Sequence, residues 1–208
     1  MYRPPAFRED RPDILHALIR SYPLGTLITC GSAGLMANLL PFTLAVAQGG
    51  TRLLAHLAKA NEQVAQLREG TPALILFHGP QGYVSPNWYP TKHAHGKAVP
   101  TWNYIAVEAR GTPRILEDRD WLRDQLSGLT ATHEQGRPAP WRLTDAPADF
   151  IEGQLRGIVG LEIAVDQLTG KWKVSQNQPP ENRAGVERAL RADGNAALAD
   201  EVGTGPRA

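Results

Sequence analysis

The densest group of side chains able to do chemistry is Tyr83-Val84-Ser85-Pro86-Asn87-Trp88-Tyr89-Pro90-Thr91-Lys92, followed by Val99-Pro100-Thr101-Trp102-Asn103-Tyr104. Tyr83, Trp88, Tyr89, Trp102 and Tyr104 offer aromatic faces, and Ser85, Asn87, Thr101 and Asn103 offer hydrogen bonds at ring edges. That combination suits a planar aromatic ligand, and equally a packed loop or an interface between subunits. A second group, His56-Leu57-Ala58-Lys59-Ala60-Asn61, lies where a strand runs into a helix. His56 and Lys59 beside helix-start amides make a seat for phosphate, against the plainer reading of Lys59 as a solvated charge. His93-Ala94-His95 invites a metal, but the spacing is unspecific and no cysteine or carboxylate nearby supplies a third ligand. In Lys171-Trp172-Lys173-Val174-Ser175 the lysines share one strand face with Ser175, and Trp172 and Val174 share the other. The cationic face reads either as a weak contact for DNA or as protection of an edge strand.

Several classes drop out. No Gly-x-Gly-x-x-Gly, no phosphate loop of the nucleoside-triphosphatase kind and no Gly-x-Ser-x-Gly elbow is present. The single cysteine, Cys30, excludes an internal disulfide and a multi-thiolate metal site within one chain. Its setting, Leu27-Ile28-Thr29-Cys30-Gly31, reads as the end of a strand with the thiol packed inside. With 22 basic and 21 acidic residues the chain carries no strongly electropositive footprint, and no helix-turn-helix pattern stands out. No apolar run of membrane-spanning length occurs, and Met1-Tyr2-Arg3-Pro4-Pro5 leads into no apolar signal region; a cytoplasmic protein is expected.

The elements that must position these groups are short and punctuated by 20 glycines and 17 prolines. Apolar spacing predicts helices over residues 10–20, 61–69, 118–133, 146–155 and 184–192. Strands are predicted over 24–30, 35–47, 51–56, 72–78, 102–110 and 112–116, with Gly111 separating the last two. Residues 79–100 read as a functional loop. Residues 157–166 and 171–174 read as a hairpin around Thr169-Gly170. A single domain over 1–200 and a frayed tail over 201–208 are expected. Many strands at short spacing with helices inserted, and no regular crossovers, favour a small antiparallel barrel.

In this order the stretches resemble the FMN-binding negative transcriptional regulators of the PaiB type. The resemblance rests on Met1-Tyr2-x-Pro4-x-x-Phe7, Asn38-x-x-Pro41-Phe42, His56-x-Ala58-Lys59-Ala60-Asn61, Tyr83-x-Ser85-Pro86-x-Trp88-Tyr89, Val99 to Tyr104, Gly157 to Glu162 and Lys171-x-Lys173-x-Ser175-Gln176-Asn177. It implies a mainly β fold with inserted helices, a split β-barrel of the pyridoxamine-phosphate-oxidase-like class, forming a homodimer that holds FMN at the subunit interface. It implies His56 and Lys59 on the phosphate side and the backbone of Ala37, Asn38 and Leu39 along the isoalloxazine ring. Asn61, Tyr83, Ser85, Trp88 and Trp102 complete the expected cofactor set. Lys59 stands where the family commonly has arginine, and lacks that side chain's bidentate fork. The competing class on this fold is a flavin oxidoreductase or a haem-binding or haem-degrading enzyme.

Overall fold

Alternating burial, inward and outward at successive residues, marks 24–30, 51–58 and 73–79 in the computed structural model, which describes residues 1–92 and 96–204. The strands are β1 (Arg8–Glu9), β2 (Leu24–Gly31), β3 (Gly34–Pro41), β4 (Thr43–Ala47), β5 (Gly50–Ala58), β6 (Ala73–Val84), β7 (Thr101–Leu116) and β8 (Ile158–Lys173). The helices are α1 (Pro12–Ser21), α2 (Gln63–Arg68), α3 (Arg119–Glu134), α4 (Ala148–Arg156), α5 (Pro180–Ala192) and α6 (Ala196–Gly203). The strands follow the order β3-β2-β6-β7-β8-β5-β4, with β1 added on β8, and every pairing with a recorded register is antiparallel. Contacts divide the chain into two units, one drawn from two segments and the other from three.

The unit of His16–Phe77 and Glu108–Leu168 has a core of Leu27, Leu53, Ala55, Ile75, Phe77, Leu122, Leu161 and Ile163. Each large apolar side chain buried there contributes about 1.5–3 kcal/mol. Gly25 lies on the inward phase of β2, where a Cβ would stand 2.8 Å from the Phe77 ring, so the core closes onto bare backbone. Cys30 is exposed, against the expectation of a packed thiol: the inward phase of β2 falls on Gly25, Leu27 and Thr29, and Cys30 takes the outward one. Gly111 does not break β7. A Cβ there would stand 2.0 Å from the Ala164 carbonyl oxygen, so the glycine admits the neighbouring strand. The single strand expected over 35–47 is divided into β3 and β4 at Phe42, whose N–H turns to donate to the Pro23 carbonyl at 2.9 Å.

The unit of Met1–Leu15, His78–Val107 and Thr169–Ala208 holds β1, one end each of β6, β7 and β8, and the pair α5 and α6. The expected hairpin at Thr169-Gly170 is absent, since β8 runs unbroken to Lys173 and Gly170 pairs with Glu9. A Cβ at Gly170 would lie 2.4 Å from Leu15 and 2.9 Å from the Glu9 carbonyl oxygen, so close approach and not a turn requires the glycine. β6 likewise continues to Val84, which moves the start of the expected loop from 79 to 85. Residues 201–203 belong to α6 in place of a frayed tail: Asn195 caps the helix by accepting from Leu198 N–H, and Val202 is buried. Glu201 accepts from the Trp172 indole at 3.2 Å. Among the described residues no helix is long and apolar enough to cross a membrane.

Candidate functional site

β3 ends the strand order and pairs with β2 alone, so one of its edges lacks a strand neighbour. The glutamines of α2 reach both strands of this pair. Gln66 Nε2 donates to the Gly34 carbonyl at 2.8 Å, and Gln63 Nε2 donates to Thr29 Oγ1 at 3.0 Å, with the Leu27 carbonyl at 3.3 Å. Gln63 Oε1 in turn accepts from Asn38 Nδ2 at 2.9 Å, and Asn61 Oδ1 accepts from the Gln63 backbone N–H at 2.9 Å. Here β3 and the turn before α2 open into a cleft of about 510 Å³, within the roughly 300–1,000 Å³ usual for ligand sites. Met36, Ala37, Asn38, Ala58, Asn61 and Glu62 contribute to its wall.

The expected residues Ala37, Asn38 and Asn61 therefore meet in one cleft. Lys59, exposed, lies between two of its lining residues, Ala58 and Ala60, with its backbone N–H held by the Gly157 carbonyl at 2.9 Å. The ammonium is thus left to solvent or ligand. Leu39 points outward and is exposed, two residues along from Ala37 on the same face of β3. The helix-start amides expected to receive phosphate contribute less than supposed, because α2 spans only six residues and the Gln63 N–H is already taken by Asn61. Glu62 adds a carboxylate to the cleft wall, which leaves the Lys59 side as the place for an anion.

His56 faces outward on β5 opposite Gly160 of β8. A Cβ at Gly160 would lie 2.3 Å from the Trp121 ring, so the missing side chain seats Trp121 and with it α3. One turn further along the same helix face, Gln125 Oε1 meets His56 Nδ1 at 2.9 Å. If Nδ1 carries the proton, Nε2 is left as the other functional atom of the ring. Gln125 is buried, and its Nε2 is without a partner. A buried amide of this kind calls for an acceptor.

In the other unit, Tyr83 and Trp102 form an exposed edge-to-face pair, with ring centres 6.2 Å apart and planes at 65°. The Trp102 indole donates to Gln81. Ser85 caps the short turn Pro86–Trp88 by accepting from Asn87 N–H at 3.2 Å. Trp88 is half-buried, and its carbonyl would stand 2.1 Å from a Cβ at Gly185. Ser85 and Trp88 thus shape the loop. Tyr89 is buried, which pushes its phenol up and keeps it neutral.

The cationic face expected on β8 is not an exposed strip. Lys171 is only 7% exposed and lies over the rings of Tyr2 and Tyr104, 5.6 and 5.1 Å from their centres. Its strand segment is paired with β1, so the edge-strand reading fails as well. Lys173 donates to Thr101 Oγ1 and the Trp102 carbonyl at 2.5 and 2.6 Å. The metal reading of His93 and His95 falls outside the described residues. Among the described residues no group of three or more His, Cys, Asp or Glu side chains is placed to hold a metal.

Gln63 and Gln125 are residues of the candidate site that sequence reasoning did not single out. Gln125 carried a signal, being polar on the apolar side of its helix; Gln63 carried only its place two residues after Asn61.

The chain matches, over residues 1–167, the family described as "Putative FMN-binding domain", and it belongs to that family. An uncharacterized protein of Emericella nidulans is 34% identical, over 89% of this chain and 88% of that one. The Bacillus subtilis protein named protease synthase and sporulation protein PAI 2 is 28% identical, over 94% of this chain and 91% of its own. Among solved structures, the FAD and heme binding protein of Mycobacterium smegmatis superposes with a TM-score of 0.60 at 20% identity, covering 80% of this chain and 73% of that one. The flavocytochrome Anf3 of Azotobacter vinelandii also gives a TM-score of 0.60, at 12% identity, covering 80% and 69%. The fold is the mainly antiparallel, helix-decorated split barrel of these flavin-binding structures.

Proposed function

We propose that the protein binds FMN in the cleft beside β3, with the ring along Ala37 and Asn38 and the phosphate toward Lys59 and His56. The observation that carries this reading is the strandless edge of β3, where Asn38, Asn61 and Gln63 are already locked together and an exposed lysine follows the strand end. A pre-organised amide network of this kind holds a polar ring edge without further ordering cost. FMN, when bound, supplies the capacity to accept and donate electrons. Asn38 and Asn61 orient, Lys59 neutralises phosphate charge, and Gln125 fixes the His56 ring. Flavin absorbance in the purified protein tests the reading, with FMN expected to bind more tightly than FAD. A colourless protein that quenches no added FMN fluorescence would refute it.

The role built on that binding is regulation of the PaiB type, supported by similarity to the Bacillus protein across nearly both whole chains. Burial of Lys171 argues that such regulation works through a protein partner or a contact other than the β8 lysines. A flavin oxidoreductase or a haem-binding protein is the second reading, favoured by the flavin and haem proteins among the structural neighbours. Slow reduction of bound flavin by NADH or NADPH, with a promoter fragment shifted on adding protein, supports the regulator. Fast reduction coupled to an acceptor supports the enzyme.

The working form is proposed to be a homodimer. Leu35, Ala37 and Leu39 on the outward face of β3, beside Cys30 and Ile28 of β2, leave an apolar face that a second copy would cover.

A further inference from the structure

The unit of Met1–Leu15, His78–Val107 and Thr169–Ala208 holds a pocket of about 390 Å³ that shares no residue with the cleft beside β3. Its wall includes Lys97, Thr101, Asn103, Lys173, Ser175 and Asn182, and among the described residues no carboxylate takes part in it. Three of these polar residues, Asn103, Ser175 and Asn182, are buried. Hydrogen bonds within the wall engage the acceptors of Asn182 and Ser175. Asn182 Oδ1 accepts from both the Thr91 hydroxyl, at 3.0 Å, and the Thr91 backbone N–H, at 3.3 Å. The Ser175 hydroxyl oxygen accepts from Asn103 Nδ2 at 2.8 Å, which leaves its own proton to give. Lys173 uses two of its three protons on Thr101 and the Trp102 carbonyl, leaving one. What these bonds leave to give is the Ser175 proton and one proton of Lys173, with its charge.

Ser175 adds an independent sign of a site. Its φ of 64° makes it the only residue other than glycine with positive φ among the described residues. Glycine would take that conformation without strain but would leave Asn103 with no hydroxyl to bond, and strain of this sort gathers where ligands are held. Burial, and next to it the charge of Lys171, pushes the Lys173 amine below its ordinary value, so a bound anion would favour its protonated form.

From this wall we infer a second binding site, separate from the flavin cleft, for a small oxyanion bearing a phosphate or carboxylate group, held by Lys173, Lys97 and the Ser175 hydroxyl. The site goes beyond the FMN reading and stands whether or not flavin binds.

Isothermal titration of the full-length protein with inorganic phosphate, and separately with succinate, at constant ionic strength tests it. At least one of the two anions is expected to saturate one site per chain. Lys173→Met should weaken that binding about tenfold or more, as loss of a charge-assisted bond does. Lys97→Met, in the loop, should weaken it in the same direction and gives the reading if the Lys173 variant does not fold. Lys59→Ala should leave it unchanged. Preference for phosphate or for succinate then assigns the group. No saturable heat from either anion overturns the site. So does binding that survives both pocket substitutions in folded protein, and so does binding lost in Lys59→Ala, which would place the anion at the flavin cleft.

Discussion

Gln63 donates from Nε2 toward Thr29 and the Leu27 carbonyl and accepts at Oε1 from Asn38, so one fully buried amide joins the core of its unit to the cleft wall. Gln63→Ala removes one hydrogen bond each from Thr29, which keeps Gln66, and from Asn38, which keeps only the longer 3.4 Å contact to Asn61, and should cost about 1–3 kcal/mol in denaturant unfolding. FMN affinity should fall with it, because Asn38 loses the partner that orients it. Asn38 and Asn61, which line the candidate cleft, were legible because the ordered motifs of the resemblance carry them. Gln63 and Gln125 were not, since a buried amide shows itself only when its partners are known. Lys171 shows the opposite failure: alternation predicts an exposed cationic face, and does not show that Tyr2 and Tyr104 would cover Lys171 or that the strand ends before Ser175.

Among the elements, glycine was the most misread residue type. Gly111 and Gly170 look like breaks in sequence, whereas both lie within long strands where another chain segment needs the space of a Cβ. Contact with a distant segment decides the matter, and local pattern does not contain it. Gly111→Ala should destabilise by roughly 3 kcal/mol or more, since backbone and not a yielding side chain stands in the way. Gly128, in the middle of α3 with open space around it, gives the contrast: Gly128→Ala should raise stability by about 0.5–1 kcal/mol. Thermal melts of the two variants check both signs. α3 is tied to α4 through Glu152, which accepts from Arg123 and from Arg119, the latter at 2.7 Å. The Arg123 bond first, and the arginine charges with it, hold the Glu152 carboxyl below the usual carboxylate range. Its contribution is therefore present above the ordinary carboxylate pKa and is lost as pH falls through the lowered value. Melting temperature followed from neutral to acid pH should fall less steeply for Glu152→Gln than for the parent.

For the molecule as a whole, strand-rich composition and ordered motifs made the fold class and the flavin family readable, while the division of the expected site residues between two contact units was not. Ala37, Asn38, His56, Lys59 and Asn61 belong to one, and Tyr83, Ser85, Trp88 and Trp102 to the other. Nothing in local sequence says where three long strands will pass from one set of contacts to another. The proposed dimer is tested on the exposed face of β3, where Leu35 is 78% and Leu39 63% exposed. The double variant Leu35→Glu, Leu39→Glu should sediment as a monomer at micromolar concentration where the parent sediments as a dimer, and a monomeric parent would refute the assembly. Placement of FMN is tested most directly by titrating FMN and riboflavin, which lacks the phosphate, against the parent and Lys59→Ala. The phosphate seat predicts that the substitution weakens FMN about tenfold and leaves riboflavin unchanged. Equal losses for the two ligands, or FMN affinity untouched, would contradict it.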